Sequence, residues 1–231
     1  MSIIFVHGSG GCADIWRYQT GHFPDSHAVN LPGHPRGRVL GSVEECTDWL
    51  RTYIRRRGLK DVVLGGHSLG GAIVMMYALR YPQELKGIII IGSGARLRVH
   101  PVFLAPCEQG VKGNPQRWHK MVEEMYRSTP EDYKKEVMEK QKAIGPAAML
   151  NDFLCCDKFD ILDRVHEIKA PALIICGESD VMTPVKYAGY LGAKLPDSKV
   201  VIVPQAGHFV LAEKPDAVNK AIEDFVRALS S

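Results

Sequence analysis

The chain has 231 residues, of which 45% are hydrophobic and 24% charged, and its formal net charge is +3. This composition fits one globular domain with a substantial core, and the balance of charges excludes the basic surface of a typical nucleic-acid-binding protein. The six cysteines form no Cys-x-x-Cys pair and the histidines lack ligand spacing, so we expect buried thiols and neither metal nor cofactor. The first apolar run is too short for a signal peptide or a membrane span, which predicts a cytoplasmic protein without membrane contact.

Six short apolar runs, rich in valine and isoleucine, predict strands that are buried on both faces of a parallel sheet. They cover residues 3–6, 28–31, 62–64, 88–91, 172–176 and 200–203. Helical patterns lie between most of these runs: a helix over 69–81, a helix over about 185–195 capped by Thr183 and Pro184, and a C-terminal helix with an apolar face. The alternation of strand and helix predicts an α/β fold.

The alternation breaks once, between residues 93 and 157, where no buried-strand run occurs. Asn114-Pro115 and Thr129-Pro130 each place a capping residue before a proline, and Gly145-Pro146 begins a third helical segment. A stretch of this length is too long for an ordinary loop, and such insertions usually form lids or binding elements. We therefore predict a helical cap over residues 94–157, inserted between core parts 1–93 and 158–231.

A serine stands among glycines in the stretch Gly-Gly-His-Ser-Leu-Gly-Gly at residues 65–71. The motif Gly66-x-Ser68-x-Gly70 directly follows one predicted strand and directly precedes a predicted helix. That context is typical of a nucleophile elbow, a sharp turn that exposes the serine Oγ, while the amides of the helix N-terminus favour negative charge above it. The pattern indicates that Ser68 is a nucleophile.

A serine hydroxyl needs a general base, and the base needs an orienting acid. Asp180 follows the strand predicted at 172–176, and His208 follows the strand predicted at 200–203. The chain order Ser68, Asp180, His208 is the order expected for this kind of elbow. Glu178 is an alternative for the acid. The remaining histidines with a predicted structural role are His7, His34, His67 and His166.

A tetrahedral intermediate also requires amide donors for its oxygen. One candidate is the N–H of Leu69, directly after the nucleophile, and the other comes from the glycine-rich loop at residues 7–11. Gly8 lets this loop curl so that the amide of Ser9 faces Ser68, with the Gly10 amide as an alternative donor.

With these residues in place, the sequence resembles the α/β-hydrolase superfamily over essentially its whole length. The resemblance implies an acyl-transfer chemistry, because the elbow carries Ser68 where the dehalogenases and epoxide hydrolases of this fold have an aspartate. Among its members, the chain looks most like the small carboxylesterases and lactonases. The matching landmarks are His7-Gly8 with Trp16, Leu31-Pro32-Gly33-His34, the 66–71 elbow, Gly177-Glu178-Ser179-Asp180, and Gly207-His208 with Glu213 and Pro215.

The sequence departs from the superfamily pattern at its start. Members usually carry an antiparallel hairpin before the strand that leads to His-Gly, whereas this chain starts at that strand. We therefore expect about six strands, all parallel, with residues 26–31 at an uncovered edge. Because an exposed edge invites pairing, a homodimer is a hypothesis.

The resemblance implies that the cap covers Ser68 and supplies the substrate pocket. Candidates for lining it are Trp118, Met121, Met125 and Met149, and Arg96 and Arg98 either recognise a substrate carboxylate or are simply solvated. The predicted function is a serine carboxylesterase that cleaves small to medium esters with water through an acyl-enzyme. The alternatives are a lactonase or carbon–carbon hydrolase of the same fold, and a ligand-binding receptor that retains the triad.

Overall fold

The computed structural model describes residues 1–230, and its sheet has six strands. They are β1 (Ser2–Val6), β2 (Ser26–Val29), β3 (Val62–His67), β4 (Leu85–Ile91), β5 (Ala172–Gly177) and β6 (Ser198–Val203). Every neighbouring pair of strands is parallel, in the order β2-β1-β3-β4-β5-β6. Each of the six predicted runs overlaps a strand, so the all-parallel, six-stranded α/β-hydrolase sheet is confirmed.

Both faces of the central strands are buried, because side chains of alternating residues enter two different hydrophobic clusters. In β1, Ile4 and Val6 pack on one face of the sheet, whereas Ile3 and Phe5 pack on the other. β3, β4 and β5 are buried along their apolar runs in the same way. This two-sided burial explains why these strands are continuous apolar runs rather than alternating patterns.

The two edge strands differ from the prediction of burial on both faces. β2 ends at Val29, and Ser26, His27 and Ala28 are partly or fully exposed. In β6, Val200 and Ile202 each keep 38% of their surface exposed. An edge strand pairs on one side only and is less completely covered by helices, so a run of valine and isoleucine does not guarantee burial there.

Helices cover both faces of the sheet, and the predicted ones form. The helix over residues 43–56 is capped by Ser42, whose Oγ accepts the amide of Glu45 at 3.1 Å, and the Glu45 carboxylate accepts the amide of Gly41 at 2.9 Å. The helices outside residues 94–157 are α1 (Arg17–His22), α2 (Val43–Arg56), α3 (Leu69–Arg80), α8 (Val185–Lys194), α9 (Val210–Glu213) and α10 (Pro215–Ala228), with short 3-10 turns at Ala13–Trp16, Pro82–Glu84 and Leu162–Glu167.

Four helices, one more than predicted, lie between β4 and β5. They are α4 (Pro101–Val111), α5 (Gln116–Met125), α6 (Glu131–Ile144) and α7 (Pro146–Lys158). The side chain of His100 caps α4, and α7 begins at Pro146 as predicted. Asn114 and Thr129 do not cap α5 and α6, because each of these helices begins one residue after its proline; the Thr129 hydroxyl donates to the carbonyl of Tyr126.

All six cysteines are buried free thiols, as predicted. Among residues 1–230, none of the helices combines the length and apolar character that crossing a bilayer requires.

Candidate active site

Ser68 occupies a strained turn between the last residue of β3 and the first residue of α3. Its φ is 54° and its ψ is −115°, a conformation that a non-glycine residue adopts only when its surroundings impose it. The flanking glycines leave no room for side chains: a Cβ at Gly66 would lie 2.1 Å from the carbonyl oxygen of Gly70, and one at Gly70 would lie 2.2 Å from that of Val6. Strand and helix therefore cross at van der Waals contact, which is the local geometry of the predicted elbow.

Two hydrogen bonds tie this elbow to the neighbouring strand β4. The amide of Ser68 donates to the carbonyl of Ile91 at 3.0 Å, and the hydroxyl of Ser93 donates to the carbonyl of Ser68 at 2.8 Å. Ser93 was absent from the residues that the sequence singled out. Its position just beyond the end of β4, at the same sheet edge as Ser68, is the signal that points to it.

Asp180 and His208 meet at the carboxyl ends of β5 and β6. The imidazole Nδ1 of His208 donates to Oδ2 of Asp180 at 2.8 Å, and both side chains are buried. This hydrogen bond places the proton of a neutral His208 on Nδ1 and leaves the Nε2 lone pair free to accept a proton. Glu178, the alternative acid, is exposed and accepts the amide of Gln205 instead.

The carboxylate of Asp180 has a full set of hydrogen-bond donors besides His208. Its Oδ1 accepts the amides of Met182 and Thr183 at 2.8 and 2.9 Å, and its Oδ2 accepts the Thr183 hydroxyl at 2.7 Å. Burial alone would raise the pKa of Asp180, but the charge and hydrogen bond of His208 and the hydrogen bonds from Thr183 outweigh burial and lower this pKa to about 2. Asp180 is therefore ionised at neutral pH.

Thr183 thus has a different role from the helix cap that the sequence predicted. α8 begins after Pro184 without a side-chain cap, because the Thr183 hydroxyl points to the Asp180 carboxylate and lies 3.3 Å from Nδ1 of His208.

Ser68 and His208 line one small cavity together with Met125, Tyr126 and Phe209. Within residues 1–230, the hydroxyl of Ser68 has no hydrogen-bond partner, so the contact from Ser68 Oγ to Nε2 of His208 is not made in this state. Hydrogen bonds of this kind are often long in the absence of substrate and tighten when it binds.

The two predicted oxyanion donors are both available. In the described part of the chain, no acceptor pairs with the amides of Ser9 and Leu69. The Gly10 amide, the alternative donor, is already used, because it donates to Oδ2 of Asp152 at 2.8 Å. Gly8 lies against the nucleophile, since a Cβ there would be 2.9 Å from the Cβ of Ser68.

Asp152 belongs to α7 and forms a buried ion pair with His34. Its Oδ2 accepts both the Gly10 amide and Nε2 of His34, each at 2.8 Å, and the other ring nitrogen of His34 faces the carbonyl of Pro32 at 3.2 Å. Burial alone would lower the pKa of His34, but the hydrogen bond and the charge of Asp152 raise it above its usual value. Both ring nitrogens face acceptors, an arrangement that favours the imidazolium form of His34.

Two other buried histidines serve as structural supports, as the sequence predicted. His7 accepts the amide of Leu31 at 3.1 Å through Nε2 and donates through Nδ1 to the carbonyl of Gly8 at 2.8 Å. His67 contacts the carbonyl oxygen of His208 at 2.9 Å through its Nε2. Burial and a neighbouring histidine lower the pKa of each ring to about 3, so both are neutral.

Of the four side chains predicted to line the pocket, the structure brings only Met125 to the cavity beside Ser68. Trp118 and Met149 are buried against each other, with Nε1 of Trp118 3.3 Å from Sδ of Met149, and Met149 packs on Gly10. Met121 packs against the core cluster on the same face of the sheet. Their apolar spacing reflects helix packing, which is the more common origin of such patterns.

A sequence model of the alpha/beta hydrolase family matches residues 3–221. The chain belongs to this family. It is 22% identical to a pimeloyl-[acyl-carrier protein] methyl ester esterase of Yersinia enterocolitica, over 97% of this chain and 93% of that protein. It is 25% identical to a 2-hydroxy-6-oxo-6-phenylhexa-2,4-dienoate hydrolase of Burkholderia cepacia, over 97% and 87% respectively.

Among solved structures, that of a thermophilic esterase superposes on this alpha/beta hydrolase with a TM-score of 0.82 and 29% identity, covering 98% of this chain and 90% of the other. These relatives are hydrolases, and they support hydrolysis as the activity of this protein. Within residues 1–230, no three His, Cys, Asp or Glu side chains are grouped to hold a metal ion.

Proposed function

We propose that this alpha/beta hydrolase is a serine carboxylesterase that cleaves small to medium carboxylic esters through an acyl-enzyme intermediate. One observation carries the proposal: a buried, ionised Asp180 holds the proton of His208 on Nδ1, and the free Nε2 shares a cavity with Ser68 in its strained turn. The esterases among the relatives support an ester as the substrate.

In the first half of the reaction, Ser68 Oγ attacks the ester carbonyl carbon while Nε2 of His208 takes the serine proton. Asp180 stabilises the imidazolium that forms. The amides of Ser9 and Leu69, which have no acceptor among residues 1–230, hold the developing oxyanion. His208 then gives the proton to the leaving alcohol, and the acyl group remains on Ser68.

In the second half, water attacks the acyl-enzyme with His208 again as the base, and the acid is released as Ser68 regains its proton. The Ser68 to His208 hydrogen bond must form for both halves. Among residues 1–230, no other group accepts from or donates to the Ser68 hydroxyl, so this hydrogen bond has no competitor there.

The test is hydrolysis of short-chain nitrophenyl esters by the native protein and by Ser68→Ala. We expect an initial burst of nitrophenol, and a loss of about 10⁴-fold or more in kcat for the variant, because the nucleophile is gone while the fold is retained. Ser198→Ala, on β6 and away from the cavity, is the matched control and keeps native activity. Full activity in Ser68→Ala would overturn the proposal, and ligand binding without turnover would indicate a receptor instead.

A further inference from the structure

A second and larger cavity opens directly onto Ser68. Its lining includes Ser9 and Ser68, and its volume is about 230 Å³. One wall is the segment that leads from β4 into α4, at residues 97–103, and the other is the segment from the Asp180 loop into α8, at residues 181–187. The ring of Tyr187, on the second wall, packs against Gly94, three residues before the first wall begins.

The ionisable side chains at the walls of this cavity include three bases and no carboxylic acid. Arg98 and His100 stand on the first wall and Lys186 on the second, while none of the fifteen lining residues is acidic. The rest of the lining is mostly apolar, including Phe103, Phe153 and Met182. A substrate that fills this space from Ser68 outward therefore meets apolar side chains and basic groups but no carboxylate.

Of the two permanently charged side chains that line this cavity, Lys186 is the one without an acidic partner among residues 1–230. It forms no ion pair with any of residues 1–230, and its ammonium lies 5.9 Å from the ring centre of Tyr187. Arg98, by contrast, donates to the carbonyl of Asp157 and lies 3.4 Å from the carboxylate of Asp160. Arg96 pairs with the same Asp160 and does not line the cavity.

His100 adds a directional donor beside these charges. Its Nδ1 accepts the amide of Val102 at 3.2 Å as the cap of α4, so the hydrogen of its neutral ring is on Nε2. His100 and Lys186 line the same cavity, so a hydrogen-bond donor and a cation face one space.

We propose that the physiological ester carries an anionic end group, joined to the scissile bond by an apolar chain, and that Lys186 with Arg98 and His100 binds that group. This inference rests on the proposed esterase function and names its substrate class. A carboxylate and a phosphate share the chemistry that such a site recognises, since both accept hydrogen bonds and carry negative charge. The apolar walls between Ser68 and the basic residues favour an acyl chain over a compact polar acid.

The experiment compares two nitrophenyl esters of equal length: the nitrophenyl monoester of adipic acid, which ends in a carboxylate, and its neutral methyl ester. A third ester of the same length, with a terminal phosphate in place of the carboxylate, distinguishes the two kinds of anion. The measured quantity is the ratio of kcat/KM for each anionic ester to that for the neutral one. Ser68→Ala defines the background.

We expect the native protein to prefer an anionic ester, through a lower KM. Lys186→Gln should reduce the ratio about fivefold and Lys186→Glu about tenfold or more, because exposed charges contribute modestly and reversal adds repulsion. Lys194→Gln, at the other end of α8, should leave the ratio at its native value. High salt should weaken the preference, since the basic groups are solvent-accessible.

Failure of the anionic-substrate inference can be told apart from failure of the esterase proposal. A ratio near one that Lys186→Glu does not change, with Ser68-dependent hydrolysis of the neutral ester intact, would overturn the anionic substrate and leave the esterase standing. Absence of Ser68-dependent hydrolysis of all three esters would overturn the esterase proposal and this inference with it.

Discussion

The buried pair of His34 and Asp152 should contribute strongly to stability, and replacing Asp152 with alanine is the direct test. The two side chains are only 2% and 5% exposed. One carboxylate oxygen accepts both the His34 ring and the Gly10 amide. Asp152→Ala therefore leaves two buried donors without acceptors and removes the charge that favours protonation of His34.

The expected cost follows from these losses. Breaking one partner of a buried ion pair typically destabilises a protein by about 3–5 kcal/mol, and an unsatisfied buried donor costs about 1–3 kcal/mol, with overlap between the two figures. We expect Asp152→Ala to lower the free energy of unfolding by about 3–5 kcal/mol. Asp152→Asn keeps an acceptor but removes the charge, so its cost should be smaller, about 1.5–3 kcal/mol.

The loss of unfolding free energy should also depend on pH, and the titration of His34 determines whether it grows or shrinks as pH rises. Its pKa is raised in the folded protein, so the pair contributes fully below the unfolded pKa of about 6.5 and loses its contribution as pH rises through the higher folded value. The ring of His7, 4.7 Å from that of His34, stays neutral throughout because its own pKa is about 3. The difference between native and Asp152→Asn protein should therefore be larger at pH 6 than at pH 9.

Urea unfolding, followed by the fluorescence of the three tryptophans, measures these free energies at both pH values. Asp163→Ala, an exposed aspartate in the 3-10 turn before β5, is the matched control and should change stability by less than about 0.5 kcal/mol. A loss of less than about 1 kcal/mol in unfolding free energy for Asp152→Ala would contradict the role of this pair. So would a stability difference between native and Asp152→Asn protein that grows from pH 6 to pH 9.

Three further predictions follow from single contacts. Gly66→Ala should lower the thermal midpoint sharply or prevent folding, because its Cβ would lie 2.1 Å from a carbonyl oxygen, whereas a Cβ at Gly189 would have no described atom within 4 Å beyond its own helical turn, so Gly189→Ala should melt like the native protein. Asp180→Asn should lower kcat for a nitrophenyl ester by about 10⁴-fold while circular dichroism stays native, since the amide favours the wrong tautomer of the base. Glu84→Gln should cost about 1–2 kcal/mol at pH 7 in urea unfolding, because the hydrogen bond from Arg51 lowers the pKa of Glu84 to about 2; this difference should shrink as pH falls below about 4.5 and disappear only below pH 2. A Glu84→Gln difference as large at pH 2 as at pH 7 would contradict that assignment.

Much of the fold, and the proposed nucleophile, base and acid of the candidate site, could be predicted because short stretches of sequence carry the patterns that indicate them. Central strands bury both faces and therefore are unbroken runs of apolar residues, as in β4. The turn at Ser68 needs glycines at two fixed positions, since strand and helix touch there. Asp180 and His208 directly follow strands whose carboxyl ends share one sheet edge, so chain order and topology together bring them close.

The missed features depend on contacts between distant parts of the chain, and Asp152 shows what kind of signal they leave. Asp152 lies on α7 three residues after Met149 and four before Cys156, which places a carboxylate on the buried face of that helix. A charge on such a face requires a buried partner, and a histidine 118 positions earlier supplies it. Nothing around His34 in the sequence indicates which residue that partner is. A carboxylate that interrupts an apolar helical face therefore predicts that a partner exists, and only the packing of α7 on the 32–37 loop identifies it.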